Sequence, residues 1–259
     1  VSLILPPGES ITLDRLCGDW KIHQLKGGHR FSADDLLTAW MASEAAPKAA
    51  RQLDLGAGIG SVGLLSLWRL SATATLTQIE AQALSHELCR MTVALNGLGD
   101  RVRSRLGDLR DPAMLPPEEH GSYDLVTGSP PYIPLGKGVV SPHPQRAACR
   151  MELRGDIADY AATAARALAP DGTFVFCHAA GDPRPEAAIA QAGLRLLARQ
   201  DVFFRQRLPP TIALFRCGWR GERDDPAPFV IRDAAGDWTE AYLALRAQMG
   251  GPPNLQRET

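Results

Sequence analysis

From Phe31 to Ala45 the chain reads FSADDLLTAWMASEA, with apolar positions at helical spacing and Ser32 placed to cap the first turn. After Pro47, RQLDLGAGIGSVGLLSLWRL reads as a strand, a glycine turn and a helix. TATLTQIE predicts a second strand ending in Glu80, and AQALSHELCRMTVALNGL a second helix closed by Asn96–Gly97. RVRSRLGDL alternates and predicts a half-exposed third strand; YDLVTG predicts a fourth. A helix over Asp156–Leu168 stops at APDG, and TFVFCHA is the fifth strand. PEAAIAQAG is helical, and strands follow around Leu194–Phe204 and Thr211–Cys217. FVIRD and a last helix, WTEAYLALRAQM, lie near the end.

Strands that alternate with helices at this spacing predict an open α/β sheet, mostly parallel, with helices on both faces. No helix separates the last two of the seven strands, so one of them is expected to run antiparallel. Residues 1–30 are mixed, with Gly27–Gly28 marking a turn, and are expected to form an N-terminal extension or hairpin. Residues 31–249 would be the main domain and 250–259 a flexible tail.

With 259 residues, 45% of them apolar and 6% aromatic, the chain can bury a core built from Leu, Ala and Val. No segment approaches the roughly 20 uncharged apolar residues that span a bilayer. The N-terminus lacks a basic flank and breaks at Pro6–Pro7, against a secretory signal, while the opening Val points to a trimmed or partial chain. Cys17, Cys89, Cys149, Cys177 and Cys217 are scattered without a CxxC pair, and no HExxH occurs. That pattern argues against zinc or a disulfide framework, so no metal and a reducing cytoplasmic setting are expected. The net charge of −1 means that an RNA partner would need a local basic patch.

In an open α/β sheet, ligands bind beyond the carboxyl ends of the strands. Four features fall there. DLGAGIG, Asp54–Gly60, is a glycine turn that lets the backbone approach a ligand or simply turn tightly. Glu80 could accept both hydroxyls of a ribose, or be a solvated strand end. Asp108, in Gly107–Leu109, could accept from an adenine amino group. The fourth feature, Ser129-Pro130-Pro131-Tyr132, is a stiff extended turn, because proline fixes its own φ and restricts the residue before it.

Taken together these features resemble the class I, Rossmann-like methyltransferases that use S-adenosylmethionine. More narrowly, they resemble the amino-methyltransferases with an (Asn/Asp/Ser)-Pro-Pro-(Tyr/Phe) motif. From Gly27 to Met249 the chain is similar to the bacterial tRNA1(Val) adenine-N6-methyltransferase family: HRFSADDLLTAW, Pro144-Gln145-Arg146, Cys149-Arg150-Met151-Glu152, RLPPTIALF and the FVIRD…WTEAYLAL end carry the likeness. The resemblance implies methyl transfer to N6 of adenine in tRNA or another RNA. The alternatives are a protein glutamine amide or a small amine as acceptor, or a noncatalytic relative that only binds the cofactor.

It further implies that Phe31 and Asp34 close over the cofactor. Asp54, Leu55, Gly56, Ala57, Gly58 and Gly60 would cradle it; Glu80 with Ala81, Asp108 with Leu109, and Ser129 would complete its site. Ser129 Oγ and the Pro130 carbonyl would accept from the target amino group. Pro131 would keep that turn rigid, and Tyr132 would stack on the flipped base. The family motif opens with Asn where this chain has Ser129, and a hydroxyl is a less directed acceptor than an amide carbonyl. Arg146, Arg150 and Arg154 are spaced four apart and would share one helix face. Arg146 and Arg150 would grip substrate phosphates, or the cluster would form salt bridges with Glu152, Asp156 and Asp159. Arg205 and Arg207 are a second basic pair.

Overall fold

The computed structural model describes residues 5–133, 136 and 141–251, without the Arg150 side chain. Most of the expected tail, 252–259, lies outside the described residues. A hairpin, β1 (Ile11–Cys17) and β2 (Trp20–Leu25), comes first. Then follow α1 (Ala33–Ala45), β3 (Arg51–Leu55), α2 (Ser61–Arg69), β4 (Thr75–Glu80), α3 (Ala83–Leu95), β5 (Val102–Leu106) and β6 (Tyr123–Gly128). The remainder is α4 (Pro144–Arg150), α5 (Ile157–Ala167), β7 (Leu168–Ala179), α6 (Arg184–Gln191), β8 (Arg195–Phe203), β9 (Ile212–Gly218), β10 (Phe229–Val230) and α7 (Glu240–Gln248).

The main sheet runs β10-β8-β9-β7-β6-β3-β4-β5. Only β9 is antiparallel to its neighbours, β7 and β8. From β3 the chain winds outward through β4 to β5, then returns to the other side of β3 as β6 and continues to β7. That reversal opens a crevice at the carboxyl ends of β3 and β6, where side chains of both halves can converge.

Seven strands are expected from the hydrophobic pattern and eight form. The eighth is β10, two residues in parallel register with Val202–Phe203 of β8. Phe229 holds it at the sheet edge by packing its ring near those of Trp40 on α1 and Tyr242 on α7, at centroid distances of 6.2 and 6.4 Å. The APDG segment read as a helix stop opens β7, where the register with β6 shifts between Tyr123 and Leu125.

Successive side chains on a strand face opposite ways, and β7 shows the result. Val175 joins the core beneath α1, α2 and α3, whereas Phe174 and Phe176 join the core beneath α5 and α6. The hairpin docks on α3, with Asn96 exchanging hydrogen bonds with the Lys21 backbone (2.9 and 2.7 Å) and Thr92 accepting from the His23 N–H at 3.0 Å. No helix among the described residues is long and apolar enough to cross a membrane.

At the end of β3, Asp54 is 1% exposed. Its Oδ2 accepts the Gly63 N–H of α2 at 3.0 Å, and its Oδ1 accepts from Thr127 Oγ1 of β6 at 2.7 Å. A β-carbon on Gly63 would lie 2.8 Å from Oδ2, so glycine inside this helix lets α2 approach the strand. Burial pushes the Asp54 pKa up to about 6, against the lowering effect of the Thr127 and Gly63 donors. In the unfolded chain the same group ionises near 3.8, so the unfolded state sheds the proton first as pH rises. Ionised Asp54 therefore costs stability above pH 6, by about 3 kcal/mol for a shift of about two units, and costs nothing below pH 3.8. An Asn can keep its carbonyl toward Gly63. Urea unfolding of Asp54→Asn and the parent from about pH 4 to 7 should show the variant gaining relative stability with pH, by about 3 kcal/mol across that window.

Candidate active site

A cavity of about 450 Å³ occupies the crevice. The β3–α2 loop forms its floor. Gly56 has φ +59°, and a β-carbon there would strike Tyr160 Oη of α5. Gly58 has φ +57°, and a β-carbon there would meet nothing within 4 Å. The two glycines thus differ: the first makes room for the protein's own tyrosine, while the second bares backbone to the cavity. Gly60, φ +91°, caps α2 and packs near Cys89 outside the cavity lining.

Carboxylates gather along one wall. Glu80, at the end of β4, accepts the Gly58 N–H at 2.7 Å through Oε2 and the Gln82 N–H at 2.6 Å through Oε1. It is 6% exposed, and burial raises its pKa while these donors and the Arg154 charge oppose the rise. Asp35 sits in the first turn of α1 and accepts the Ser32 N–H at 2.8 Å, in a capping box. Burial, then the charges of Asp34 and Asp54, hold the Asp35 carboxyl well above the usual range. Asp34 also lines the cavity and hydrogen-bonds Ser32 Oγ.

Ser129, Pro130, Pro131 and Tyr132 leave the end of β6 and line the same cavity. Ser129 Oγ lies 3.3 Å from Cys177 Sγ of β7. Burial pushes the Cys177 thiol up to about 12, so it stays protonated near neutral pH. Tyr132 is half-buried, with its ring edge-on to His178 at a centroid distance of 5.9 Å. His178 is fully buried, and burial lowers its pKa, so the ring is neutral.

Of the residues singled out in the sequence, Asp34, Asp54, Gly56, Ala57, Gly58, Glu80, Ala81, Leu109, Arg146 and the four turn residues meet in this cavity. Phe31, Leu55, Gly60 and Asp108 are not in its lining. Leu55 is fully buried in the core, and Phe31 packs against the core on the other face. Asp108 is turned to Arg110, two residues on, which donates to both carboxylate oxygens at 2.9 and 2.6 Å and holds its pKa below the usual range.

The described members of the arginine cluster, Arg146 and Arg154, make no salt bridge with Glu152, Asp156 or Asp159, and they do not share a helix face. Arg146 donates to the Gly27 and Gly28 carbonyls at 2.8 and 3.3 Å. Beside it, Gln145 is buried, accepts the His29 N–H at 3.1 Å and donates to Ser85 Oγ at 3.0 Å. The Pro-Gln-Arg element thus ties the segment after the hairpin to the roof of the cavity. The Arg150 side chain lies outside the described residues. α4 ends at Arg150, so Arg154 does not continue its face; it lines the cavity near Glu80 instead. Glu152 pairs with Arg184 at 2.8 Å, and Asp156 and Asp159 cap α5.

Sequence reasoning set Asp34 ahead of its neighbour Asp35 as the acid of the early helix and did not select Gln82, Cys149 or Tyr160; Asp35 and these three are in the lining. Asp35 had a legible signal, the Ser-x-x-Asp spacing that closes a capping box. Tyr160 had a fainter one, an aromatic residue in an alanine-rich helix that faces two glycines, Gly56 and Gly128, across the sheet.

No family model matches the chain. The tRNA1(Val) (adenine(37)-N6)-methyltransferase of Cronobacter sakazakii is 30% identical over 217 residues, covering 81% of this chain and 83% of that one. Its Escherichia coli O157:H7 namesake is 28% identical over 215 residues with the same coverage. Among solved structures, a predicted O-methyltransferase from Agrobacterium tumefaciens superposes with a TM-score of 0.60 at 20% identity, covering 85% of this chain and 98% of that one. Geranyl diphosphate C-methyltransferase from Streptomyces coelicolor A3(2), solved with S-adenosyl-L-homocysteine, gives 0.51 at 12% identity, covering 71% and 79%. These likenesses in structure show the fold, the Rossmann-like class I methyltransferase sheet. Together with the identity to its curated relatives, they establish that the chain is an S-adenosylmethionine-dependent methyltransferase and belongs to the tRNA1(Val) (adenine(37)-N6)-methyltransferase family.

Proposed function

We propose that the methyl acceptor is the exocyclic N6 of an adenine in tRNA. The observation that carries this reading is the Ser129–Tyr132 turn lining the same cavity as Gly58 and Glu80. The bare backbone at Gly58 and the carboxylates beside it suit the cofactor, which is cationic at sulfur and carries vicinal ribose hydroxyls. Glu80 uses one lone pair on each oxygen for Gly58 and Gln82, and each oxygen keeps capacity for a ribose hydroxyl. Asp34, which lines the same cavity, lends negative charge that favours a cation.

When bound, S-adenosylmethionine supplies an electrophilic methyl group on a sulfonium. The protein's task is to hold the amino nitrogen in line with it. That nitrogen is a poor nucleophile because its lone pair is shared with the purine ring. Acceptors aimed at its two N–H bonds draw it toward tetrahedral geometry and free the lone pair for attack. The Pro130 carbonyl is one acceptor, held by a backbone that two prolines stiffen. Ser129 Oγ is the other. Where the 3.3 Å contact with Cys177 runs from S–H to Oγ, an Oγ lone pair remains for the amino group. Tyr132, steadied by His178, offers its ring to the base.

The chain's net charge of −1 and Ser129 in place of Asn favour a second reading, a protein glutamine amide or a small amine as acceptor. Mass spectrometry of nucleosides from tRNA treated with protein and cofactor, alongside labelled methyl transfer to protein and to small amines, separates the two. N6-methyladenosine in tRNA is the expected product, and label confined to protein or amines would overturn the reading. Glu80→Gln should weaken cofactor affinity in calorimetry by about tenfold or more, as expected for a lost charge-assisted hydrogen bond. Tyr132→Ala should lower turnover on tRNA by about tenfold, the scale of one stacked base, with cofactor affinity unchanged.

A further inference from the structure

The turn between β8 and β9 stands beside this site. Tyr132 touches His178, His178 pairs in register with Ala213 of β9, and Ile212 pairs with both Ala179 and Val202. Residues 204–211 therefore emerge at the same end of the sheet as the Ser129–Tyr132 turn, two to three strands from β6 and so roughly 10 to 14 Å away across the sheet.

The turn is basic, apolar and ordered together. Phe204 is 38% exposed and Leu208 55%, with Arg205 and Arg207 also exposed. Most arginines near the sheet are occupied: Arg199 by Asp201 and Glu186, Arg184 by Asp182 and Glu152. Arg205 and Arg207 form no ion pair or hydrogen bond through their guanidinium groups with a described residue. Of the acids close by, Asp201 pairs with Arg199 and Asp233 accepts the Gly236 and Asp237 N–H groups, and the Arg205 guanidinium lies against Gly236. The backbone is nonetheless pinned. Gln206 N–H donates to the Arg232 carbonyl at 2.8 Å, Leu208 N–H to the Arg205 carbonyl at 3.2 Å, and the Ala234 N–H to Gln206 Oε1 at 3.2 Å. Arg207 is held at φ +71°, the single described non-glycine residue in the left-handed region, and Pro209–Pro210 stiffen the exit.

We infer that this turn is the RNA-backbone contact that flanks the acceptor nucleotide. The inference rests on the RNA reading above. Two unpaired guanidinium groups on a fixed turn suit phosphate oxygens, which they can meet bidentately. The exposed Phe204 ring and Leu208 side chain beside them give an unstacked neighbouring base an apolar surface. A local basic patch of this kind is what a chain of near-zero net charge needs to hold RNA.

The test uses unmodified tRNA, the full chain and S-adenosylmethionine, comparing the parent with Arg205→Glu/Arg207→Glu. The double variant should raise KM for tRNA at least tenfold and keep kcat within about twofold, with cofactor affinity by calorimetry unchanged. The slope of log binding constant against log salt should become shallower by about 1.5, the release expected from two phosphate contacts. Arg207→Gly guards against a folding artefact, because glycine accepts the left-handed backbone; it should melt no lower than the parent and still bind tRNA several-fold more weakly. Parent-like KM and salt slope in the charge-reversed protein, while the parent methylates tRNA, would overturn this inference and leave the proposed function standing. A parent that methylates protein and not RNA would overturn both.

Discussion

Asp54 is the joint on which the site is assembled. One buried carboxylate spans the end of β3, the first turn of α2 and the neighbouring β6. The β3–α2 loop must then leave the sheet at a fixed angle, and β6 must end level with it. The loop that bares Gly58 and the turn that carries Ser129 are therefore set relative to each other by a single charged group. Burying that group is unfavourable, and its raised pKa measures the cost. The arrangement is a trade of stability for position, of the kind found where a site needs accurate placement.

Much of the fold was legible because it is written in local periodicity. β3 to β9 and six of the seven helices follow from alternation and helical spacing, and the missing helix after β8 announced the antiparallel strand. What escaped was non-local. β10 is two residues long and exists because Phe229 packs near Trp40 and Tyr242, one of them far away in sequence. α4 is short, and its role depends on a loop more than a hundred residues earlier.

The site divides along the same line. Strand ends are predictable, so Glu80 and the Ser129–Tyr132 turn could be placed at the cavity from order alone. Side-chain partners are not predictable in this way. Arg146 reads as available for phosphate, yet two backbone carbonyls, those of Gly27 and Gly28, claim it. Asp108 reads as free, yet Arg110 is close enough along the chain to capture it. Ser129 reads as a weakened acceptor, and Cys177 supplies the neighbour that the motif by itself cannot contain.

Gly56 carries a consequence for how glycine loops of this type drift. Its side of the loop is filled by Tyr160 Oη, a group from α5 that a β-carbon would strike. The glycine and the tyrosine are thus a matched pair, a hole and its plug, and neither is free to change without the other. Relatives with a smaller residue at the tyrosine position could relax the steric half of the demand for glycine, though not the left-handed backbone half. A β-carbon on Gly58 would meet nothing within 4 Å, so there the demand is the left-handed backbone alone, at φ +57°. Two letters that look equivalent in the motif therefore carry different demands, packing and backbone at the first and backbone alone at the second.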